Sequence, residues 1–194
     1  MGILSVLFGR KRLPRSKTEG LGAVAAAELS MRTSLGMDPG RRGGLAMRVL
    51  SGSRFEQLRS DVDRVLQIAA RDLGSQVALR GDDLGYLWAV ITDEDFPDLV
   101  AAVQVGAQMV VEEGFRDQLL CAVFPFKARD GGEPLHLVYS FRRGRFYAFA
   151  PRRGRTRDTA MELRVHALLE GELPLEDDLE FRYPLWGMPL DEDP

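Results

Sequence analysis

Cysteine and histidine are almost missing from this chain, which has one cysteine, Cys121, and two histidines, His136 and His166. A lone cysteine cannot close an internal disulfide, so nothing marks the protein for an oxidising compartment. Without a C-x-x-C or an H-x-x-x-H pair, no zinc site is expected. Also missing are G-x-S-x-G, the P-loop and G-x-G-x-x-G. The run Gly40-Arg41-Arg42-Gly43-Gly44 lacks the strand-to-helix setting and the Lys-hydroxyl pair of a phosphate loop. Long apolar runs are missing too: no segment nears the roughly 20 residues that span a bilayer. Ile3-Leu4-Ser5-Val6-Leu7-Phe8 is too short for a secretory signal, and its basic residues follow it instead of preceding it. Position 6 holds Val6 where a myristoylation motif carries Ser or Thr. A cytoplasmic location is therefore expected.

The same shortages bear on catalysis. Cys121 lies among Leu119, Leu120, Ala122 and Val123 and reads as a small buried hydrophobe, since a reactive thiol needs an exposed, basic setting. Cys121 and His136 on neighbouring strands offer a nucleophile–base pair only if they touch and a third group orients them. Carboxylates cluster at Asp82-Asp83, Asp93-Glu94-Asp95, Glu112-Glu113 and Glu176-Asp177-Asp178. These are turns and helix ends, where acids cap helices or stay solvated. Acid–base work instead needs two carboxylates in unlike environments. No catalytic constellation emerges, and neither a cofactor nor a metal is expected.

What is present suits a globular protein. The 194 residues are 45% hydrophobic and 28% charged, enough to build a core without metals or disulfides. The expected organisation is an apolar-basic tail over 1–17, a single domain over 18–186 and an acidic tail over 187–194. The alanine-rich stretch from Thr18 to Leu35 predicts a helix with Leu21, Val24, Ala25, Leu29 and Met31 on one side, stopped by Gly36. Residues 38–44 read as loop and Leu45–Leu50 as a short strand. Ser53-Arg54-Phe55-Glu56 is a capping box opening a helix to Leu73. Its apolar face is Phe55, Leu58, Val62, Val65, Leu66, Ala69 and Leu73.

Strands follow at Val77–Arg80 and Tyr86–Thr92 around Gly81-Asp82-Asp83. Asp95 and Pro97 open a further helix that runs to Gly114. Three strands come next, at Leu119–Lys127, Leu135–Phe141 and Arg145–Ala150. A last helix starts near Thr159, with Thr159-Ala160-Met161-Glu162 as its capping box. Met161, Val165, Leu168 and Leu169 form its stripe, and Gly171 and Pro174 stop it. Hairpins grouped between helices indicate the α+β class, with an antiparallel sheet of five to six strands and helices mainly on one face.

Charge is unevenly placed around a net −3. Residues 1–17 carry five basic groups and no acid, Arg142–Asp158 holds seven arginines and one aspartate, and the last 25 residues are acidic apart from Arg182. The arginine stretch, mixed with Phe141, Phe146, Tyr147 and Phe149, is the one feature above background. Its candidate contact residues are Arg142, Arg143, Arg145, Arg152, Arg153 and Arg155. A protein or anionic surface is the first reading of hairpin 141–157, and a nucleic-acid interface with stacking rings is the alternative. An acidic pI of about 5.5 weighs against that alternative, and a solvated surface whose aromatics face inward is the plain one. At the N-terminus, Ile3, Leu4, Leu7 and Phe8 with Arg10, Lys11 and Arg12 could form a short interfacial helix making weak, peripheral membrane contact. Docking of this segment on its own domain competes with that reading.

Several stretches carry a family resemblance. They are Gly114-Phe115, Gln118-Leu119-Leu120-Cys121, Leu137-Val138-Tyr139, Arg143-Gly144-Arg145-Phe146-Tyr147-Ala148-Phe149-Ala150-Pro151, Arg157-Asp158-Thr159-Ala160-Met161-Glu162-Leu163 and Tyr183-Pro184-Leu185-Trp186-Gly187-Met188-Pro189. With Gly85-Tyr86-Leu87-Trp88 and an apolar opening that ends in Gly9-Arg10, they resemble the PspA-associated proteins of the PspAB type. The resemblance spans nearly the whole chain, strongest from residue 114 and looser between 13 and 50. It implies a non-catalytic accessory or regulatory module of the phage-shock-protein A system, which maintains the cytoplasmic membrane under envelope stress. PspA or another component of that system would be its protein partner. The family brings no catalytic residues to carry over. By element order alone the chain also resembles the small α+β fold of type III secretion chaperones and the YbjN group.

Overall fold

The structure, a computed structural model, describes Thr18, residues 20–48 and residues 53–190. The candidate membrane contact at Ile3, Leu4, Leu7, Phe8, Arg10, Lys11 and Arg12 lies outside the described residues. So do the side chains of Ser53, Phe55, Glu56, Leu58 and Ala69, the last two residues of the expected strand, Val49 and Leu50, and Asp191-Glu192-Asp193.

The elements run α1 (Val24–Leu35), β1 (Met37–Pro39), β2 (Arg42–Arg48), α2 (Ser53–Leu73), β3 (Gln76–Gly81), β4 (Tyr86–Thr92) and α3 (Phe96–Glu112). They continue with β5 (Leu119–Ala128), β6 (Leu135–Ser140), β7 (Arg145–Phe149), β8 (Pro151–Arg152), β9 (Thr156–Arg157) and α4 (Thr159–Leu169). Strands β3-β4-β2-β5-β6-β7 pair in that order, all antiparallel, and β1 joins them beside β5. This is the α+β architecture expected from the grouped hairpins, with seven strands in the main sheet.

Helix ends follow local chemistry. Asp95 caps α3 by accepting the Asp98 N–H, which satisfies one of the amides a helix start leaves open. Gly74 and Gly114 both take positive φ, at 75° and 90°. At α2 the Ser75 N–H reaches the Ala70 carbonyl and the Gly74 N–H that of Arg71. At α3 the Phe115 N–H reaches Val110 and the Gly114 N–H reaches Val111. Both ends are Schellman motifs, in which a residue without Cβ turns the chain off the helix axis.

Three expectations change. Residues 38–44 are mostly strand and not loop: Asp38–Pro39 end β1, Arg42–Gly44 begin the central strand β2, and Gly40-Arg41 connect them. Their glycines answer a need for close packing instead of flexibility. A Cβ on Gly43 would sit 3.1 Å from Val103 of α3, and one on Gly44 would sit 3.0 Å from Leu190 and 3.2 Å from Trp88. Neighbours approach β2 from both faces, so side chains there have no room. Gly44→Val, which open strand geometry would favour, is expected to destabilise the protein by about 1–3 kcal/mol through overpacking. Chemical denaturation checks this, and a stabilised variant would show that Leu190 yields freely.

In α1 the buried face is Val24, Ala27 and Met31, while Leu29 is exposed. A single turn of 3-10 helix at Leu21–Ala23 precedes it and shifts the phase of the apolar positions. Among the described side chains of α2, Val62, Val65, Leu66 and Ala70 are buried, and Leu73, expected on that face, is exposed just before the Schellman motif.

The sheet has two unlike faces. One carries the helices over a core that includes Leu45, Ile91, Phe124, Phe126, Tyr139 and Phe146. On the other, Trp88, Val90, Val123, Val138 and Phe149 pack against Leu185, Trp186, Met188 and Leu190. An irregular C-terminal strap therefore covers this face. Met188 and Leu190, which the sequence reading assigns to a tail, are buried in it. The strap also closes the β7 edge: the Phe146 N–H donates to the Pro174 carbonyl and the Glu176 N–H to the Phe146 carbonyl. An open edge would otherwise template pairing with other chains.

Candidate functional site

The arginine-rich run folds around β7. Arg142 and Arg143 occupy the β6–β7 turn with Gly144 at φ 70°, and Arg145 opens β7. Arg152 lies on β8, and Arg153 and Arg155 sit in the β8–β9 turn, where Gly154 and Arg155 both take positive φ. The six candidates thus form two groups at opposite ends of β7, about 14 Å apart at the rise of an antiparallel strand. Phe141, Phe146, Tyr147 and Phe149 are all buried, so the rings are committed to the two cores and the turns present arginines alone.

Most of these arginines have work inside the protein. Arg143 grips Glu176 with two bonds, Nε to Oε2 at 2.7 Å and Nη2 to Oε1 at 3.1 Å, and its guanidinium lies 4.0 Å from the Phe181 ring centroid. The Arg143 bonds hold the Glu176 carboxyl below its ordinary pKa. Arg145 donates to the Leu175 carbonyl at 2.6 Å and lies 3.9 Å from Asp177. Arg152 pairs with Asp158. The acidic segment 176–178, far along the chain, is thus drawn onto the β6–β7 turn. Among the described residues, no ion pair is made by the guanidiniums of Arg153 or Arg155, and both are exposed.

The sequence reading passed over the residue at the centre of this arrangement, Arg157. It donates to both oxygens of Glu162, at 2.9 and 2.8 Å, and to the Arg182 carbonyl at 2.7 Å. Glu162 is buried and also accepts the Ala150 N–H at 2.9 Å. The expected capping box at Thr159–Glu162 is therefore corrected. Asp158 caps α4 by accepting the Met161 N–H at 3.0 Å, while Glu162 faces inward to Arg157. That bond to Met161 is the main cause of a lowered Asp158 pKa. Arg182, itself buried, donates to the Glu176 carbonyl at 2.9 Å. Together these groups tie β7, β9, α4 and the root of the strap.

At the same end of the sheet as the β6–β7 turn lies a groove of about 750 Å³. It opens where β2 and β6 end and β4 and β5 begin. Leu119, Leu120, Cys121 and Leu185 line its floor, and Tyr86, Tyr147 and Tyr183 stand in its walls. The Tyr147 hydroxyl donates to the Tyr183 carbonyl at 3.0 Å, pinning the strap along one side. Arg48, Arg116 and Arg142 stand at the rim, where Asp117 is the one acidic residue among the described lining residues. Burial pushes the Cys121 thiol up to about 12, so it stays protonated and unreactive near neutrality.

The structure keeps Cys121 and His136 apart. Cys121 pairs with Ser140, whereas His136 pairs with Pro125, a separation of about 14 Å along β5. His136 is fully buried, stacked 6.0 Å from Phe149, and burial lowers its pKa to about 4. Among the described residues, no group of three or more His, Cys, Asp or Glu could hold a metal ion, and no helix is long and apolar enough to cross a membrane.

Fold and site define an α+β protein with helices on one sheet face, a strap on the other, and a basic-rimmed groove at one end of the sheet. The chain belongs to the PspAB family: the family model for PspA associated protein B matches residues 1–190. No curated protein and no solved structure matches it.

Proposed function

We propose that this protein is a non-catalytic accessory of a PspA-type membrane-stress system and acts by binding a protein partner, PspA itself or a neighbouring component. Membership of the PspAB family supports the association. The arginines support the contact, and they divide by their bonds. Arg143 and Arg145 hold the 175–177 segment and Arg152 pairs with Asp158, whereas the β8–β9 turn, bearing Arg153 and Arg155, projects charge outward. The single observation that carries the contact surface is the exposure of Arg153 and Arg155 without an ion-pair partner among the described residues. Exposed charge of one sign steers encounter with an acidic surface and sets register.

Binding of the purified protein to PspA, followed by calorimetry, tests the reading. The variant Arg153→Glu/Arg155→Glu should fold normally and lose about tenfold or more in affinity, with binding weakened by salt. Unchanged affinity would remove this turn as the contact. Absence of binding by the unaltered protein would sink the PspA reading itself.

A further inference from the structure

We propose that the groove at the end of the sheet is a binding site for a single-chain anionic amphiphile, a free long-chain fatty acid, independent of any protein contact made by the β8–β9 turn. Three features argue for this occupant. The volume of about 750 Å³ lies within the range of small-ligand pockets and is small for a docked protein element. The floor of Leu119, Leu120, Cys121 and Leu185 is apolar, with the cysteine neutral at physiological pH. Among the described lining residues, the rim sets the exposed Arg48 and Arg116 against Asp117, with Arg142 beside them. A carboxylate head is the group that guanidiniums hold with paired, charge-assisted bonds, and an acyl chain is what an apolar floor takes from water.

Charge also decides between this ligand and the chain's own N-terminus, the nearest rival. Residues 1–17 lead directly into Thr18 on the groove wall and include Ile3, Leu4, Leu7 and Phe8. They also carry Arg10, Lys11, Arg12, Arg15 and Lys17 with no acid, which sets cation against the cations of Arg48 and Arg116. An anionic head removes that repulsion. Arg48 and Arg116 are exposed and make no ion pair with a described residue, so their charge can be reversed without breaking an internal bond.

The test uses the full chain and a fluorescent fatty acid displaced by oleate at monomeric concentration. Oleate should displace the probe stoichiometrically. Oleyl alcohol, with a comparable chain but no charge, should be weaker by about tenfold or more, the worth of a charge-assisted bond. Arg48→Glu/Arg116→Glu should lose a similar factor while keeping the thermal midpoint of the unaltered protein. Leu120→Trp, which fills the floor, should block binding of both compounds. Equal affinity for oleate and the alcohol, or indifference to the double charge reversal, would overturn the assignment. So would failure of oleate to bind while vesicles of anionic phospholipid sediment the protein, which would make the basic rim a bilayer contact.

Discussion

Replacing Glu162 with alanine is expected to destabilise the protein by about 3–5 kcal/mol, the range for leaving one member of a buried ion pair unpaired. At about 2–4 °C per kcal/mol for a chain of this size, the midpoint should fall by roughly 10 °C. The reason lies in how much one carboxylate satisfies. It accepts two bonds from Arg157 and one from the Ala150 amide in a site nearly closed to water. Without it, a guanidinium held on the Arg182 carbonyl has no counter-charge, and the Ala150 amide at the end of β7 loses its acceptor.

Two further variants separate these causes. Glu162→Gln keeps an acceptor and should lie between the alanine variant and the unaltered protein. In Arg157→Met/Glu162→Met both charges are gone, so most of the loss should return, less about 1–3 kcal/mol for the stranded amide. Denaturant unfolding reads all three. A loss below about 1 kcal/mol for Glu162→Ala, the range of a surface pair, would mean that water replaces the carboxylate and that the network does not seal the hairpin to α4.

The second large effect is a loss of stability on mild acidification that belongs to His136. Its folded-state pKa is about 4 against an ordinary 6.5, because burial disfavours the charged ring. With the folded value depressed, the unfolded chain binds the proton first. Stability is therefore whole above pH 6.5 and drains away as pH falls toward 4. The slope is about 1.4 kcal/mol per pH unit, giving roughly 2 kcal/mol between about pH 6.5 and pH 5. Asp38, Asp158 and Glu176 are shifted too, all downward, from ordinary values of 3.8, 3.8 and 4.5. Their contributions are lost mainly below those values, which leaves the upper part of the window to the histidine. His136→Phe, which keeps a ring beside Phe149, should flatten the stability profile between about pH 6.5 and pH 5. An identical slope in variant and unaltered protein would assign the acid sensitivity to another group.

The parts of the fold that sequence made legible were those with local causes. Alternation and helical spacing located α2, α3, β4 and β6 closely, and Asp95 and Gly114 marked their helix ends by capping chemistry that acts within a few residues. The candidate site was legible only as a string of arginines. Spacing could not reveal that Arg143 reaches Glu176 or that Arg157 meets Glu162 and the carbonyl of Arg182, because these partners meet through β-pairing and the return of the chain. Glu162 shows the difficulty most clearly. As a glutamate three residues after Thr159 it satisfies the capping-box pattern, yet Asp158, one residue earlier, takes the cap and frees it to turn inward. The groove left no mark at all, since its lining comes from five strands, the end of α3, the turns before β5 and β7, and the strap.

By itself the sequence determined the α+β class, the order of the four helices and the six longer strands, and the concentration of cations between 142 and 157, because propensity, periodicity and charge are local properties. The short β1, β8 and β9 it did not show. Only the tertiary structure decided that Gly43 and Gly44 lie in a crowded central strand, and that a strap ending in Met188 and Leu190 covers the second face. It also decided which arginines hold the protein together and which face outward. Each of those outcomes depends on what a residue meets across the sheet, and that is settled when distant segments pack.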